Sequence, residues 1–119
     1  MRLAGQIVLV PFPFTNLSEA KLRPVLILRQ ASRHFDDWLV CMISSQLHQA
    51  EPGLDEILLT TDADFPTSGL KASSVLRLAR LAVIEGGLIA GDIGAISQAR
   101  LDSVRRKLTK WLLGDGHDG

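Results

Sequence analysis

The chain has 119 residues, of which 46% are hydrophobic and 22% charged, as in one globular domain with one core. No apolar run approaches the ~20 residues of a membrane-spanning helix, and the single cysteine, Cys41, excludes an internal disulfide and a cysteine metal cluster. Because the N-terminus also lacks a signal-peptide pattern, we expect a cytoplasmic protein without membrane association.

The formal net charge is zero, which by itself argues against a nucleic-acid binder. The charges are unevenly distributed, however. Residues 1–35 carry +4, residues 36–64 carry −7 and residues 65–119 carry +3. A basic face can therefore coexist with an acidic one, although a random scatter over a solvated surface explains the same numbers.

Strand patterns fill the first two-thirds of the chain. Pro11 and Pro13 are expected to end the first strand, and Pro24 to open the second. The segment 64–70, rich in turn formers, reads as a loop. Short apolar runs bounded by turn signals predict strands over 7–10, 25–28, 38–43, 57–60, 74–78 and 81–84.

The last third changes to a helical period. Ser97 is a candidate N-cap, and Ile96 before it can pack on Leu101. Apolar residues then recur at 101, 104, 108, 111 and 112, and Gly114 fits the position that ends a helix. Five or six strands and one terminal helix predict a mainly β fold over 1–113, with an antiparallel sheet curved into a partly closed barrel, followed by a flexible tail over 114–119.

Two strand ends carry groups suited to a phosphate. Arg23 precedes Pro24, which restricts it to extended backbone, and a guanidinium offers paired planar donors to phosphate oxygens. Ser44 and Ser45 follow the apolar run 38–43 and offer hydroxyl donors. If these groups converge they form a small anion site, which the polar segment 15–21 could cover. Taken one by one, an ordinary surface arginine and turn serines explain the same residues.

Together these segments resemble the MazF/PemK-like family of toxin endoribonucleases. Residues 5–15, GQIVLVPFPFT, look like the family's opening strand and loop, and residues 21–28, KLRPVLIL, look like its Arg-Pro strand. Residues 40–45, VCMISS, and 71–78, KASSVLRL, are similar to two later strands. The order and spacing hold over nearly the whole chain.

The resemblance implies a small SH3-like antiparallel β-barrel with a C-terminal helix, which usually forms a homodimer. It implies cleavage of single-stranded RNA without a metal or other cofactor, in which the 2′-hydroxyl of the substrate attacks the adjacent phosphorus. A cognate antitoxin protein would be the partner. The implied catalytic residues are Arg23, which stabilises phosphate charge, and Ser44, with Ser45 as a substitute donor. The implied RNA-binding residues are Phe14, Thr15, Lys21, Arg29 and Arg77.

Two residues depart from the family pattern: Gln6 replaces its usual Asp, and Ser44 its usual Thr. We expect the first to remove only a turn contact. The second keeps the hydroxyl but frees its rotamer. The alternatives are therefore a non-catalytic toxin or binding module of the same barrel, like the gyrase poisons, and an inactive relative.

Other candidate residues are weaker. His34 and His48 could act as acid–base groups but read equally as loop histidines, and His117 lies in the predicted tail. The carboxylates at 36, 37, 62 and 64 match no metal-binding spacing and predict a solvated acidic face. Cys41, inside an apolar run, is expected to be a small buried hydrophobe.

Overall fold

The computed structural model describes residues 2–12 and 21–114. None of the helices within these residues is long and apolar enough to cross a membrane. The strands are β1 (Gln6–Phe12), β2 (Lys21–Gln30), β3 (Asp37–Ser44), β4 (Glu56–Leu58), β5 (Ser74–Glu85) and β6 (Gly91–Ala95), and the helices are α1 (Phe65–Ser68) and α2 (Gln98–Leu112).

The strands form one curled antiparallel sheet. Their order is β4-β5-β3-β2-β1-β6, so the chain's first three strands pair in sequence while β6 crosses to the far edge beside β1. The predicted mainly β class, curved sheet and C-terminal helix are confirmed. Ser97 also caps α2 as predicted, because its side chain accepts the N–H of Arg100 at 3.1 Å.

Pro11 and Pro24 lie inside strands, whereas the sequence predicted that Pro11 ends the first strand and that Pro24 precedes the second. Pro11 pairs with Leu22 and Pro24 pairs with Leu9. The β1–β6 ladder ends at Leu9, and the β2–β3 ladder ends at Val25. Each proline thus lies where its strand has a neighbour on one side only, and there a missing N–H is tolerated. Strand β2 consequently begins at Lys21 rather than after Pro24.

The later strands also differ from the prediction. The two strands predicted over 74–78 and 81–84 are one, β5, with a bulge between them: Cys41 pairs with Leu81 while its neighbour Met42 pairs with Arg77. Strand β6 was missed, because its sequence GDIGA lacks a strand pattern and it is a strand through backbone pairing with β1. The predicted loop 64–70 contains the short helix α1.

Helix α1 connects the two edges of the sheet. In the chain it follows β4, which is one edge strand, and it packs against β6, which is the other. A Cβ atom added to Gly94 would collide with the backbone of Thr67 and Ser68, and one added to Gly69 would collide with the carbonyl of Ile93. Glycine is needed at both positions because backbone meets backbone there.

The sheet buries apolar side chains on both faces. On one face Leu101, Val104 and Leu108 of α2 pack on a cluster that includes Leu26 and Cys41. The other face holds a second cluster of buried residues: Val8, Val10, Val25, Ile27, Val40 and Ile84. The alternation of strand side chains explains the division, since Leu26 faces the helix and its neighbours Val25 and Ile27 face the second cluster.

An ion network fixes α2 against the β4 edge. Arg100, whose side chain is only 16% exposed, bonds to Glu56 at 3.1 Å, Asp62 at 3.1 Å and Asp64 at 2.8 Å. Ser103 and Lys107 also bond to Glu56. Asp62 and Asp64 therefore do not form the solvated acidic face that the sequence predicted.

The network shifts the pKa of two members. The hydrogen bond from Arg100 holds the pKa of Asp64 at about 2, below its usual 3.8. Burial alone would lower the pKa of Arg100, but the hydrogen bond and charge of Asp64, with the charges of Glu56 and Asp62, raise it above its ordinary value.

Candidate functional site

Arg23 and Ser44 lie just beyond the end of the ladder between neighbouring strands. The last β2–β3 pair is Val25 with Met42, and continuing that register by two residues would bring Arg23 opposite Ser44. Directly opposed residues of an antiparallel pair project to the same face, with backbones about 5 Å apart. That face is the one that carries the second cluster, since Arg23 pairs across β1 with the buried Val10. The two residues thus stand at the exposed rim of this second cluster.

The guanidinium of Arg23 is available to a ligand. Its residue is exposed, and among residues 2–12 and 21–114 no carboxylate lies within ion-pair distance of it. Arg23 is the third residue of β2. Two residues further on, at Val25, β2 begins to pair with strands on both sides. The charge is consequently held on a strand rather than on a loop tip.

The hydroxyl of Ser44 is oriented by the backbone that follows it. Its Oγ accepts the N–H of Gln46 at 3.0 Å, which leaves the hydroxyl hydrogen for an outside acceptor. Ser44 is half-buried, whereas Ser45 is exposed and lies beyond the end of β3. Of the two serines, Ser44 therefore has the better-defined position.

Arg77 lies on the same face, one strand beyond β3. It pairs with Met42, two residues before Ser44, so Arg23, Ser44 and Arg77 project from three adjacent strands to one side. Arg77 is half-buried, and its Nη1 lies 3.5 Å from Oε1 of Gln49. Its buried Nε has no hydrogen-bond partner among the described residues. The Nε of this half-buried cation is therefore enclosed by the protein, and the rest of the guanidinium is the part that can face a ligand.

Lys21 and Phe12 extend the rim. Lys21 is two residues before Arg23 and therefore on its face, and Phe12, which is 46% exposed, pairs with it. The sequence reasoning missed Phe12 because it ended the first strand at Pro11. Continued alternation after Val10 was the signal that could have found it. The predicted RNA-binding residues Phe14 and Thr15, and the covering segment over 15–20, lie outside the described residues, as do the tail residues 115–119.

Arg29 and the region around it lie elsewhere. Arg29 is six residues beyond Arg23 on β2, about 20 Å away, and the irregularity after Ile27 pairs it with Leu39. His34 and Phe35 are exposed in the following turn, where Ser32 Oγ accepts both of their N–H groups. The structure therefore separates Arg29 from the Arg23–Ser44 pair. His48 is exposed in the 3₁₀ turn after Ser45.

The described residues contain neither a cluster suited to a metal ion nor a reactive thiol. Within the described part of the chain, no group of three or more His, Cys, Asp or Glu side chains could hold a metal ion. Burial, with a smaller contribution from the charge of Asp55, raises the pKa of the Cys41 thiol to about 12. Cys41 is thus the small buried hydrophobe that the sequence predicted, not a nucleophile.

Gln6, the first departure from the family pattern, retains a turn contact rather than losing one. Its Oε1 accepts the N–H of Leu3 at 2.6 Å, and its Nε2 donates to Asp92 at 2.9 Å. The amide therefore supports both the N-terminal turn and the β1–β6 edge, and the expectation of a lost turn contact is wrong.

Comparison with known proteins agrees with this fold. A sequence model of the family described as PemK-like, MazF-like toxin of type II toxin-antitoxin system matches residues 3–112. No curated protein sequence matches the chain.

Among solved structures the chain is similar to an endoribonuclease in complex with its cognate antitoxin from a Mycobacterial species, with 14% identity and a TM-score of 0.69 over 99% of this chain and 100% of that one. It is also similar to MazF from Deinococcus radiodurans, with 20% identity and a TM-score of 0.67 over 95% of this chain and 96% of that one. A third is the Mycobacterium tuberculosis toxin MazF-mt6, with 15% identity and a TM-score of 0.65 over 94% and 99%.

Proposed function

The chain belongs to the PemK-like, MazF-like toxin family of type II toxin-antitoxin systems, and we propose that it is an endoribonuclease that cleaves single-stranded RNA at the Arg23–Ser44 pair. The observation that carries the proposal is the β2–β3 register, which, continued two residues past the pair Val25–Met42, brings an uncompensated guanidinium opposite an oriented hydroxyl at an exposed rim. A phosphodiester needs both: positive charge for its anionic oxygens and a donor for one of them.

In the proposed reaction the 2′-hydroxyl oxygen of the substrate attacks the adjacent phosphorus, and the bond to the 5′ oxygen breaks. The 2′-hydroxyl proton is lost to solvent and the departing oxygen takes up a proton, so the products are a 2′,3′-cyclic phosphate and a 5′-hydroxyl end. The nucleophile comes from the substrate. The protein supplies charge stabilisation, which Arg23 provides as a bidentate donor to the phosphorane oxygens and Ser44 as a single donor. Neither role requires a metal ion or cofactor.

Lys21 would guide the strand that enters the site, because it offers a charge to a neighbouring phosphate. Arg77, which is half-buried on the same face, would contribute positive charge toward a second phosphate. Ser45, Phe14 and Thr15 stay as supporting contacts that the resemblance assigns.

The partner and assembly follow the family. We propose that residues 1–113 act as one domain, that the toxin functions in the cytoplasm as a homodimer, and that a cognate antitoxin silences it by covering the Arg23 rim. One of the similar structures is an endoribonuclease with its antitoxin. Light scattering of the purified protein tests the dimer. Co-expression with the product of an adjacent small reading frame tests the antitoxin, which should restore growth.

The decisive experiment is cleavage of a long single-stranded RNA by the purified protein in EDTA. We expect fragments with 5′-hydroxyl ends that a kinase can label directly, and 3′ ends that resist labelling until the cyclic phosphate is opened. Folded protein that leaves the RNA intact at all concentrations would contradict the proposal and favour the non-catalytic toxin or an inactive relative. Activity that needs added Mg²⁺ would contradict the metal-independent mechanism alone.

A further inference from the structure

A basic cavity lies near the end of β2 that is far from Arg23. Its volume is about 450 Å³, and three arginines line it: Arg2 from the N-terminus, Arg29 from β2 and Arg105 from α2. The other lining residues are Leu3, Ala4, Gln30 and Trp38. None of these lining residues is acidic. The volume lies in the range of sites that hold a small molecule or one nucleotide.

Backbone carbonyls hold the three guanidinium groups in place. Arg29 Nε donates to Gln30 at 2.9 Å, Arg105 Nη2 to Leu28 at 3.0 Å, and Arg2 Nη2 to Gly86 at 2.9 Å. These acceptors are neutral, so they orient the arginines without neutralising them. Each guanidinium has five N–H donors, and most remain for a ligand. Asp36, which is exposed, lies 3.6 Å from Arg2 and is the one carboxylate within ion-pair distance of the three arginines among the described residues.

Trp38 adds an aromatic surface to this charge. Its indole N–H donates to Asp36 at 2.7 Å, which fixes the ring at the cavity wall. Leu3 and Ala4 add apolar surface to the wall. Fixed arginines beside an aromatic ring and an apolar wall match a nucleotide, whose phosphate pairs with guanidinium groups while its base stacks.

We propose that this cavity binds one nucleotide of single-stranded RNA away from the bond that is cut. The proposal rests on the proposed function, because it assumes that RNA is the ligand of the protein. Since Arg29 is about 20 Å from Arg23 along β2, only an RNA several nucleotides long reaches both places. The cavity therefore adds affinity for longer RNA without touching the reacting phosphate. An acidic protein segment is the competing ligand, but it has no base for Trp38 to stack on.

The test uses the fluorescence of Trp38 in a Trp111→Phe background, which leaves it as the single tryptophan. The probe is a 5′-phosphorylated single-stranded DNA hexanucleotide, which lacks the 2′-hydroxyl needed for cleavage. We expect saturable quenching. Arg29→Ala should raise the dissociation constant about five-fold or more and lower its salt slope by about one. Arg106→Ala is the matched control: it removes the same charge from an exposed position on α2 that does not line the cavity.

Three results would overturn the inference: no quenching, equal weakening by both substitutions, or equal quenching by a hexaglutamate peptide. The last would assign the cavity to an acidic protein segment. None of these depends on catalysis. If the hexanucleotide quenches Trp38 of the Trp111→Phe protein as expected but the wild type fails to cleave RNA, the proposed function fails while the cavity stands. If it cleaves RNA but the hexanucleotide leaves Trp38 unchanged, the cavity alone fails.

Discussion

Two arginines of this molecule, Arg100 and Arg23, have opposite surroundings. Arg100 is mostly buried and bonds to three carboxylates, whereas Arg23 is exposed and has no carboxylate within ion-pair distance among the described residues. The charge of Arg100 is neutralised in ion pairs that hold α2 against the β4 edge. Arg23 retains its charge at the exposed rim of the second cluster. The comparison teaches that the neighbouring acids, and not the residue type, separate a structural arginine from one that can bind phosphate.

Substitution of Arg100 should have the largest effect of all. Arg100→Met removes the cation and leaves the largely buried Asp64 without an ion-pair partner, whereas Glu56 keeps Lys107; an uncompensated buried charge costs about 3–5 kcal/mol of unfolding free energy. Urea denaturation measures the loss. Arg106→Met, at an exposed position of the same helix, should stay within about 0.5 kcal/mol. Equal stability of the two variants would break the comparison on its structural side.

Substitution of Arg23 should reverse this pattern, with activity lost and stability kept. Arg23→Ala removes one positioned donor of the transition state and should lower kcat/KM for RNA by about 10²–10³, while the urea midpoint stays close to that of the wild type. Arg23→Lys keeps the charge without the planar fork and should recover only part of the rate. Arg33→Ala, another exposed arginine, is the control for charge. Wild-type cleavage by Arg23→Ala would remove this residue from the proposed site.

Acid titration sharpens the comparison on the Arg100 side. The folded pKa of Asp64 is about 2 and its ordinary value 3.8, so the unfolded state binds the proton first as the pH falls. The stabilisation is complete above about pH 4 and disappears as the pH approaches 2, to a total of about 2 kcal/mol. The stability gap between wild type and Asp64→Asn should therefore close over that window. Asp102→Asn, an exposed acid of α2, controls for the loss of one carboxylate. A gap that persists at pH 2 would show that the pKa shift does not cause the difference.

The sequence was sufficient for the parts of the fold that local pattern determines. The apolar runs, Ser97 as a cap and Gly114 as the end of α2 predict their elements because burial and capping act within a few residues. Strand β6 and the unbroken β5 could not be predicted in this way. Gly91–Ala95 is a strand only because β1 lies beside it, and the bulge of β5 is a property of its pairing with β3.

The candidate site shows the same limit. Arg23 and Ser44 were predicted from motif and chemistry, but their relative placement depends on the β2–β3 register, which is set by pairs such as Val25 with Met42 that lie far apart in the sequence. Arg29 was grouped with them by charge alone, and the length of β2 separates it. The buried network of Arg100 was missed because its carboxylates lie 36 to 44 residues away along the chain. Charge partners at such separation leave no local signal.

Substitution of Ser44 should have the smallest effect and report on how the hydroxyl is held. Ser44→Ala keeps the β3–β5 pairing but removes the donor, and a rate loss of about ten-fold is expected for one neutral hydrogen bond. Ser44→Thr restores the hydroxyl and adds a methyl that restricts χ1, so its rate should equal or exceed that of the wild type. Single-turnover cleavage in EDTA measures both. If Ser44→Thr were as slow as Ser44→Ala, the N–H of Gln46, which already fixes Oγ at 3.0 Å, would be orienting the hydroxyl in a way that threonine cannot adopt, and the donor role would depend on that turn rather than on the strand.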